Sequence, residues 1–125
     1  MTETVLVIDD QFGIRALLRQ VFEGEGYLVL EASNGNEALQ LLKSENVNLV
    51  MLDLKIPGMN GVEILRAMRA NEVETDVMMM TAYGEQEMIQ EAMDLGALMY
   101  LTKPFDIKDV RDQVRSFFAG ETGKA

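Results

Sequence analysis

A run of four apolar residues, Leu49 to Leu52, is followed directly by an acid, Asp53. The run does not alternate between apolar and polar positions, so it predicts a strand that is buried on both faces. Strands of this kind occur in parallel sheets with helices on each side, and ligands bind at the carboxyl ends of such strands. We therefore expect Asp53 at that edge of a sheet, exposed to a ligand and not hidden in the core.

Four further apolar runs alternate with stretches that have helical periodicity. Together with the first run, they predict strands at residues 5–8, 28–32, 49–52, 76–81 and 98–101. A helix is predicted after each strand because apolar residues recur three and four positions apart, as Val110, Val114 and Phe117 do in the last one. The methionine-rich strand is assigned from its place in the alternation, since methionine does not itself favour strands.

Five strands alternating with five helices predict a doubly wound α/β domain. Its three layers are helices, a five-stranded parallel sheet and helices again, and the flavodoxin-like strand order 2-1-3-4-5 is the commonest at this size. That order makes strands one and three neighbours, so Asp9 and Asp10, which follow strand one, converge with Asp53. Thr81 and Lys103 follow strands four and five at the same edge.

The length of 125 residues fits one domain, expected to span residues 1–119, with 120–125 as a flexible tail and no output domain. The formal charge is −10, from 21 acidic and 11 basic residues, which argues against nucleic-acid binding. With no cysteine and no histidine, disulfides, thiolate metal sites and imidazole catalysis are excluded. Neither a signal peptide nor a membrane span is recognisable, so a cytoplasmic location is expected.

Carboxylates gathered at one edge repel each other: two unit charges about 4 Å apart cost roughly 4 kcal/mol at an effective dielectric constant of about 20. A cation is therefore expected among Asp9, Asp10 and Asp53, and oxygen ligands favour Mg²⁺ together with water and a phosphate oxygen. Thr81 and Lys103 would then bind phosphoryl oxygens, and a carboxylate would be the nucleophile. Taken singly, each residue also has an ordinary explanation, such as a helix cap for Asp9 or Asp10, or a solvated loop position for Lys103.

Motifs of characteristic composition stand at the ends of four predicted strands. They are Asp9-Asp10, Asp53 with Pro57-Gly58-Met59-Asn60-Gly61 behind it, Thr81-Ala82, and Lys103-Pro104-Phe105. In type, order and position they resemble the receiver domain of two-component response regulators, over essentially the whole chain. More narrowly, segments such as 9–15 and 80–85 resemble the single-domain regulators of sporulation phosphorelays.

The resemblance implies a phosphorylation site. Asp53 would accept a phosphoryl group from the phosphohistidine of a sensor histidine kinase and become an acyl phosphate. Mg²⁺, or Mn²⁺ in its place, would be bound by Asp10, Asp53 and the backbone carbonyl of Lys55, with Asp9 contributing directly or through a water. Such a chain would phosphorylate and dephosphorylate itself as a phosphotransfer intermediate, which differs from a metabolic enzyme with many turnovers.

The resemblance also assigns roles around the phosphoryl group. Thr81 would bind one phosphoryl oxygen, and Lys103 would pair with the carboxylate and then with the phosphate. The Lys103-Pro104 peptide bond is expected to be cis. Gln11 would influence the water that hydrolyses the acyl phosphate, and Tyr100 would be the switch aromatic that swings inward when Thr81 engages phosphate.

The implied partners depend on the subgroup. The sporulation-like segments favour onward transfer to a histidine phosphotransfer protein, with an aspartyl-phosphate phosphatase as a further partner and a monomeric chain. Sporulation members carry a histidine where this chain has Tyr100, whereas chemotaxis-type receivers carry tyrosine. The alternative is therefore a chemotaxis-like receiver that signals by phosphorylation-dependent protein binding without onward transfer.

An apolar docking surface for such partners is expected around Asp53. Its predicted members are Ile14, Leu17, Leu18, Tyr83, Pro104 and Phe105. The helical stripe of the first helix requires at least one of the two leucines to lie in the core instead.

Two other protein classes are less compatible with these residues. A flavodoxin needs hydroxyls and amides after its first strand to hold the flavin phosphate, and Asp9-Asp10 would repel that dianion. A hydrolase of the haloacid dehalogenase type also forms an aspartyl phosphate. Its nucleophile, however, follows the first strand in an Asp-x-Asp sequence, which this chain lacks.

Overall fold

The computed structural model describes residues 2–120. The tail predicted at 120–125 lies outside the described residues except for Gly120. Within the described range, strands and helices alternate as β1 Thr4–Ile8, α1 Phe12–Gly24, β2 Leu28–Ala32, α2 Gly35–Ser44, β3 Leu49–Asp53, α3 Gly61–Ala70, β4 Asp76–Thr81, α4 Gln86–Asp94, β5 Met99–Thr102 and α5 Ile107–Phe118. None of these helices is long and apolar enough to cross a membrane.

The strands form one parallel sheet in the order β2-β1-β3-β4-β5, which confirms the predicted topology. Its register aligns the carboxyl ends of the central strands: Ile8 pairs with Leu52, and Asp53 pairs with Met80. The residues that follow these strands therefore meet at one edge of the sheet. Strand β5 lies one residue later than predicted because Met99 pairs with Met78 of β4.

Helices cover both faces of the sheet, so two hydrophobic cores form. Val50 and Leu52 of β3 pack against the face covered by α2, α3 and α4. Leu49 and Met51 pack against the face covered by α1 and α5. All four are fully buried, as the unbroken apolar run predicts. The methionines of β4 alternate between the two cores in the same way and fill them.

The loop that follows β3 is fixed at both of its ends. Gly61 donates its N–H to the carbonyl of Leu54 (2.8 Å) at the point where the loop turns into α3. Asn60 caps that helix, accepting a hydrogen bond from the N–H of Glu63 while the Glu63 carboxylate accepts one from the N–H of Asn60. The chain immediately behind Asp53 is thus held against the end of its strand.

Candidate functional site

Three acids meet at the carboxyl edge of the sheet, as the strand order predicts. One carboxylate oxygen from each of Asp9, Asp10 and Asp53 lies within 4.8 Å of the others. Asp9 and Asp53 are buried, whereas Asp10 is exposed. The cluster forms because β1 and β3 are hydrogen-bonded neighbours, although Asp53 lies 43 positions after Asp10 in the chain.

Asp53 is buried, with 6% of its surface exposed, so the expectation of an exposed acid is wrong. The reason is that sheet pairing continues one residue beyond the apolar run, with Asp53 opposite Met80, and that Leu54 and Ile56 return to the core. A cavity of about 290 Å³ reaches the carboxylate from outside. It is lined by Asp10, Gln11, Asp53, Lys55, Pro57, Ala82, Glu85 and Lys103.

Lys103 brings an ammonium group to the acids. Its Nζ lies 2.7 Å from Oδ2 of Asp9 and 3.4 Å from Oδ2 of Asp53. The main chain supports this placement, since the N–H of Lys103 donates to the carbonyl of Thr81 (2.7 Å) and the Lys103-Pro104 bond is cis, as predicted. Burial alone would lower the pKa of Lys103, but its hydrogen bond to Asp9 and the charges of Asp53 and Asp9 raise it.

The pKa of Asp53 is raised from 3.8 to about 6. Burial is the largest cause, and the negative charge of Asp9 adds to it. Lys103 and the N–H of Lys55, which donates to Oδ1 of Asp53 (3.3 Å), act in the opposite direction without compensating. A carboxylate at this position is therefore poorly neutralised by the protein itself.

This donor set fits a divalent cation. Its ligand atoms are carboxylate oxygens, which hard ions such as Mg²⁺ prefer, and Asp10 at the exposed side leaves room for water in the coordination shell. A cation next to Asp53 would also relieve the repulsion from Asp9 that raises its pKa. Asp10, Asp53 and Asp9 are accordingly the residues that could hold the ion.

The backbone around Asp9 is held by polar contacts from the first helix. Oδ1 of Asp9 accepts a hydrogen bond from the N–H of Gln11 (2.9 Å), and the Asp9 carbonyl accepts one from Nη1 of Arg15 (2.8 Å). Arg15 is itself oriented by Glu31 of β2 at 3.1 Å. Neither Asp9 nor Asp10 caps α1 with its side chain, because the N-cap is Gln11, so the helix-cap explanation is excluded.

Thr81 stands at the end of β4 and is almost fully buried. Among the described residues, its hydroxyl oxygen and Oε2 of Glu85 are the buried side-chain polar atoms without a hydrogen-bond partner. Glu85 folds back over the loop so that its Oε1 accepts a hydrogen bond from the N–H of Ala82 (3.0 Å). Sequence reasoning missed Glu85, since nothing in its local sequence distinguishes it from a solvated acid at a helix start.

Two further predicted residues lie at the border of the site. Gln11 is exposed and lines the cavity together with Asp10 and Asp53. Tyr100 lies on the edge strand β5, opposite Met79, with 49% of its surface exposed. The tyrosine ring is therefore directed outward in this structure.

The predicted docking residues differ in their exposure. Leu18 is fully buried among the residues between α1 and α5, so its assignment to a docking surface is wrong. It occupies the core position of the helical stripe, whereas Leu17, one residue earlier, is 38% exposed. Ile14 and Phe105 are half-buried and pack against the same core.

The exposed part of this surface includes two aromatic residues, one of which the sequence analysis did not select. Tyr83 is 95% exposed in the loop after β4, and Pro104 is also exposed. Phe12, at the start of α1, is 72% exposed with the guanidinium of Arg15 over its ring at 5.7 Å. Phe12 lies outside the apolar stripe of α1, which is why periodicity gave no signal for it.

Comparison with known proteins gives a consistent result. A family model described as the response regulator receiver domain matches residues 5–115. Sporulation initiation phosphotransferase F of Bacillus subtilis (strain 168) is 50% identical over 117 residues, which make up 94% of this chain and 94% of that protein. The regulatory protein AtoC of Escherichia coli (strain K12) is 37% identical over 85% of this chain, but the match spans only 23% of AtoC.

Solved structures agree with the sequence relatives. The receiver domain of the Francisella response regulator 1452 superposes with a TM-score of 0.85 at 30% identity, covering 94% of this chain and 98% of that one. A CheY-like receiver domain protein from Methanospirillum hungatei JF-1 has a TM-score of 0.90 at 27% identity, with 97% of each chain covered. The chain, with its parallel sheet and its acid cluster at the sheet edge, belongs to the response regulator receiver domain family.

Proposed function

We propose that this chain accepts a phosphoryl group on Asp53 from a sensor histidine kinase, with Mg²⁺ bound, and passes it to a histidine phosphotransfer protein. The observation that carries the proposal is the pairing of a buried Asp53 carboxylate with the Lys103 ammonium at 3.4 Å, beside two further acids. The similarity to sporulation initiation phosphotransferase F over nearly the full length of both chains supports a relay of the sporulation type.

In the proposed reaction, one carboxylate oxygen of Asp53 attacks the phosphorus of a phosphohistidine. The P–N bond breaks, the imidazole leaves with the electron pair and gains a proton, and an acyl phosphate remains on Asp53. Lys103, which lies beside Asp9 and Asp53 before the reaction, would pair with the phosphoryl oxygens, and the unpartnered Thr81 hydroxyl would donate a hydrogen bond to one of them.

Mg²⁺ would be held by Asp10, Asp53 and the backbone carbonyl of Lys55, with Asp9 binding directly or through a water. When bound, it supplies charge neutralisation for the phosphoryl oxygens. Asp9, Asp10 and Asp53 remain the residues that orient it, and their proximity at the sheet edge supports this assignment.

Gln11 and Tyr100 are proposed to act after phosphorylation. Gln11 lines the cavity beside Asp53, so its amide would contact the water that hydrolyses the acyl phosphate. Tyr100, now half exposed, would turn inward when Thr81 engages the phosphoryl group. Partner proteins would dock on the exposed Tyr83, Pro104 and Leu17, with the half-buried Ile14 and Phe105 completing the surface.

A chemotaxis-like receiver, which signals by binding a target protein, is the second candidate. Tyr100 favours this candidate, because chemotaxis-type receivers also carry a tyrosine at that position. A Vibrio cholerae chemotaxis protein named CheY4 superposes with a TM-score of 0.85 at 28% identity. In that case the phosphorylated chain would be read by binding and would keep its phosphoryl group until hydrolysis.

Phosphoramidate, whose P–N bond imitates phosphohistidine, provides the test of phosphoryl acceptance. Incubation with phosphoramidate and Mg²⁺ is expected to add one phosphoryl group to the intact mass, and EDTA in place of Mg²⁺ should abolish the gain. No mass gain with Mg²⁺ present would refute the proposal. Asp10→Asn, which removes one proposed ligand of the ion without touching Asp53, is expected to react much more slowly at the same Mg²⁺ concentration.

Onward transfer separates the two candidates. The phosphorylated chain, freed of donor, is mixed with a purified histidine phosphotransfer protein encoded by the same genome. A relay predicts that the phosphoryl group appears on that protein within seconds to minutes. Retention of the group on this chain, with stable binding to another target, would favour the chemotaxis-like candidate.

A further inference from the structure

The two unpartnered buried side-chain polar atoms of the described residues lie at opposite ends of one loop. They are Oγ1 of Thr81 and Oε2 of Glu85, which flank the connection between β4 and α4. Burial of a polar atom without a partner is unfavourable, and such atoms in folded proteins call for an explanation. The proposed phosphoryl group explains Thr81 but not Glu85, because a carboxylate accepts hydrogen bonds and repels phosphate.

Glu85 belongs to the cavity that leads to Asp53. Only 7% of its surface is exposed, and it lines this cavity together with Ala82, Asp53 and Lys103. Although Glu85 is the N-cap residue of α4, its side chain makes no capping hydrogen bond to that helix. Its carboxylate instead accepts the N–H of Ala82 at 3.0 Å. The acid is thus directed at the loop and away from its own helix.

The N–H of Ala82 is a donor well suited to a phosphoryl oxygen. It follows directly after Thr81, and Ala82 lines the same cavity as Asp53. Backbone N–H groups beside a reacting centre commonly stabilise the negative oxygens that develop there. In this structure the donor is already occupied by an anionic group of the protein itself.

A phosphoryl group on Asp53 and the carboxylate of Glu85 would compete for this donor and repel each other across a small cavity. We propose that Glu85 competes with the phosphoryl group for the N–H of Ala82, an inference that rests on the proposed function. Its carboxylate holds the Ala82 amide in the unphosphorylated protein and is displaced when Asp53 is phosphorylated.

The competition predicts that removing the charge of Glu85 speeds phosphoryl uptake. Glu85→Gln keeps the size of the side chain and an acceptor oxygen, whereas Glu85→Ala removes both the charge and the hydrogen bond. With phosphoramidate and Mg²⁺ followed by intact mass, both variants are expected to gain the phosphoryl group faster than the unsubstituted chain. The expected gain is about tenfold, of the size that one charge-assisted hydrogen bond accounts for. Glu87→Gln, at an exposed position in the first turn of the same helix, is the matched control and should react at the unsubstituted rate.

If Glu85 had a purely structural role, the variants would rank differently in their rates of phosphoryl uptake. In that case Glu85→Gln would react like the unsubstituted chain, and Glu85→Ala would react more slowly because the loop is loosened. Rates at or below the unsubstituted rate in both variants, with cooperative thermal melting retained, would overturn the inference alone. If the unsubstituted chain gains no phosphoryl group, the proposed function fails and the inference falls with it, so the two failures are distinguishable.

A measurement on the unsubstituted chain tests the inference even if the variants fold poorly. The ¹³C resonance of the Glu85 side-chain carboxyl, assigned by its disappearance in Glu85→Gln or by backbone correlation, is compared before and after phosphorylation. We expect it to shift as the carboxylate leaves the Ala82 amide. A phosphorylated protein in which this resonance is unchanged would overturn the inference.

Discussion

The ammonium group of Lys103 does not interact equally with the two buried acids at the sheet edge. Lys103 lies closer to Asp9, at 2.7 Å, than to Asp53, at 3.4 Å, so the carboxylate proposed to react has the weaker ion pair. Burial and the charge of Asp9 then raise the pKa of Asp53 to about 6. Such a group has a measurable effect on the stability of the protein without Mg²⁺.

The pH dependence of that effect follows from the direction of the shift. Because the pKa of Asp53 is higher in the folded state than its ordinary 3.8, folding favours the protonated form. Its contribution to stability is therefore complete below pH 3.8 and is lost as the pH rises through about 6. In EDTA, the free energy of unfolding of Asp53→Asn minus that of the unsubstituted chain should increase over this range by up to about 3 kcal/mol.

Urea denaturation of both proteins at a series of pH values provides the measurement. The subtraction cancels the titration of the acids that lie away from Asp53, which both proteins share. A difference that stays constant between pH 4 and pH 7 would contradict the raised pKa of Asp53.

Gly61 is a residue whose lack of a side chain positions the site. A Cβ atom there would lie 2.6 Å from Cα of Leu54 and 2.7 Å from the carbonyl oxygen of Asp53, and neither backbone atom can move freely. Gly61→Ala is expected to destabilise the fold by about 1–3 kcal/mol and to slow phosphoryl uptake, because it displaces the backbone of Asp53. Gly13→Ala is the control: its Cβ would meet nothing within 4 Å, so stability should stay unchanged or rise slightly. Equal stability of the two variants, measured by chemical denaturation, would contradict the close approach at Gly61.

Among the secondary-structure elements, β4 connects the site to the opposite end of the sheet. Its amino end follows a connection that Arg69 of α3 holds by donating to the carbonyls of Val73 (2.9 Å), Thr75 (3.0 Å) and Leu95 (2.9 Å). Leu95 is the C-cap of α4, so one guanidinium ties α3, the entry to β4 and the end of α4 together. Strand β4, which carries Thr81 at its carboxyl end, is therefore held in place near its amino end.

Removal of this guanidinium should affect stability far more than removal of its neighbour on the same helix. Arg69→Ala leaves three carbonyls without their charged donor and is expected to lower the free energy of unfolding by about 2–3 kcal/mol. Arg66→Ala is the matched control, since the side chain of Arg66 is 57% exposed and its ion pair with Glu91, at 3.3 Å, lies on the surface. That change should cost less than about 0.5 kcal/mol. Similar losses in both variants, measured in urea, would show that Arg69 is an ordinary surface arginine.

The fold of the molecule was predictable because its signals are repeated along the chain. Each apolar run of the parallel sheet is followed by helical periodicity, and this alternation identified β4 in spite of its methionines. The strand order then brought Asp9, Asp10 and Asp53 together before any contact was known. Patterns of this kind depend on burial of whole elements, which sequence reports well.

The details that sequence analysis missed depend on single side chains. Burial of Asp53 arises from one extra residue of pairing with β4, and burial of Leu18 instead of Leu17 depends on how α1 rotates against the sheet. The role of Glu85 depends on its side chain folding back to Ala82, a choice of rotamer that periodicity does not report. Tertiary packing decides such features, so they became visible only in the folded chain.

The position of the acyl phosphate tests the central claim most directly. Borohydride reduces an aspartyl phosphate to homoserine, and tandem mass spectrometry of the digested chain then locates the reduced residue. After incubation with phosphoramidate and Mg²⁺, we expect homoserine at position 53. With EDTA in place of Mg²⁺, we expect no homoserine. Homoserine at position 9 or 10, or no reduced residue in a chain that binds Mg²⁺, would contradict the assignment of Asp53 as the phosphoryl acceptor.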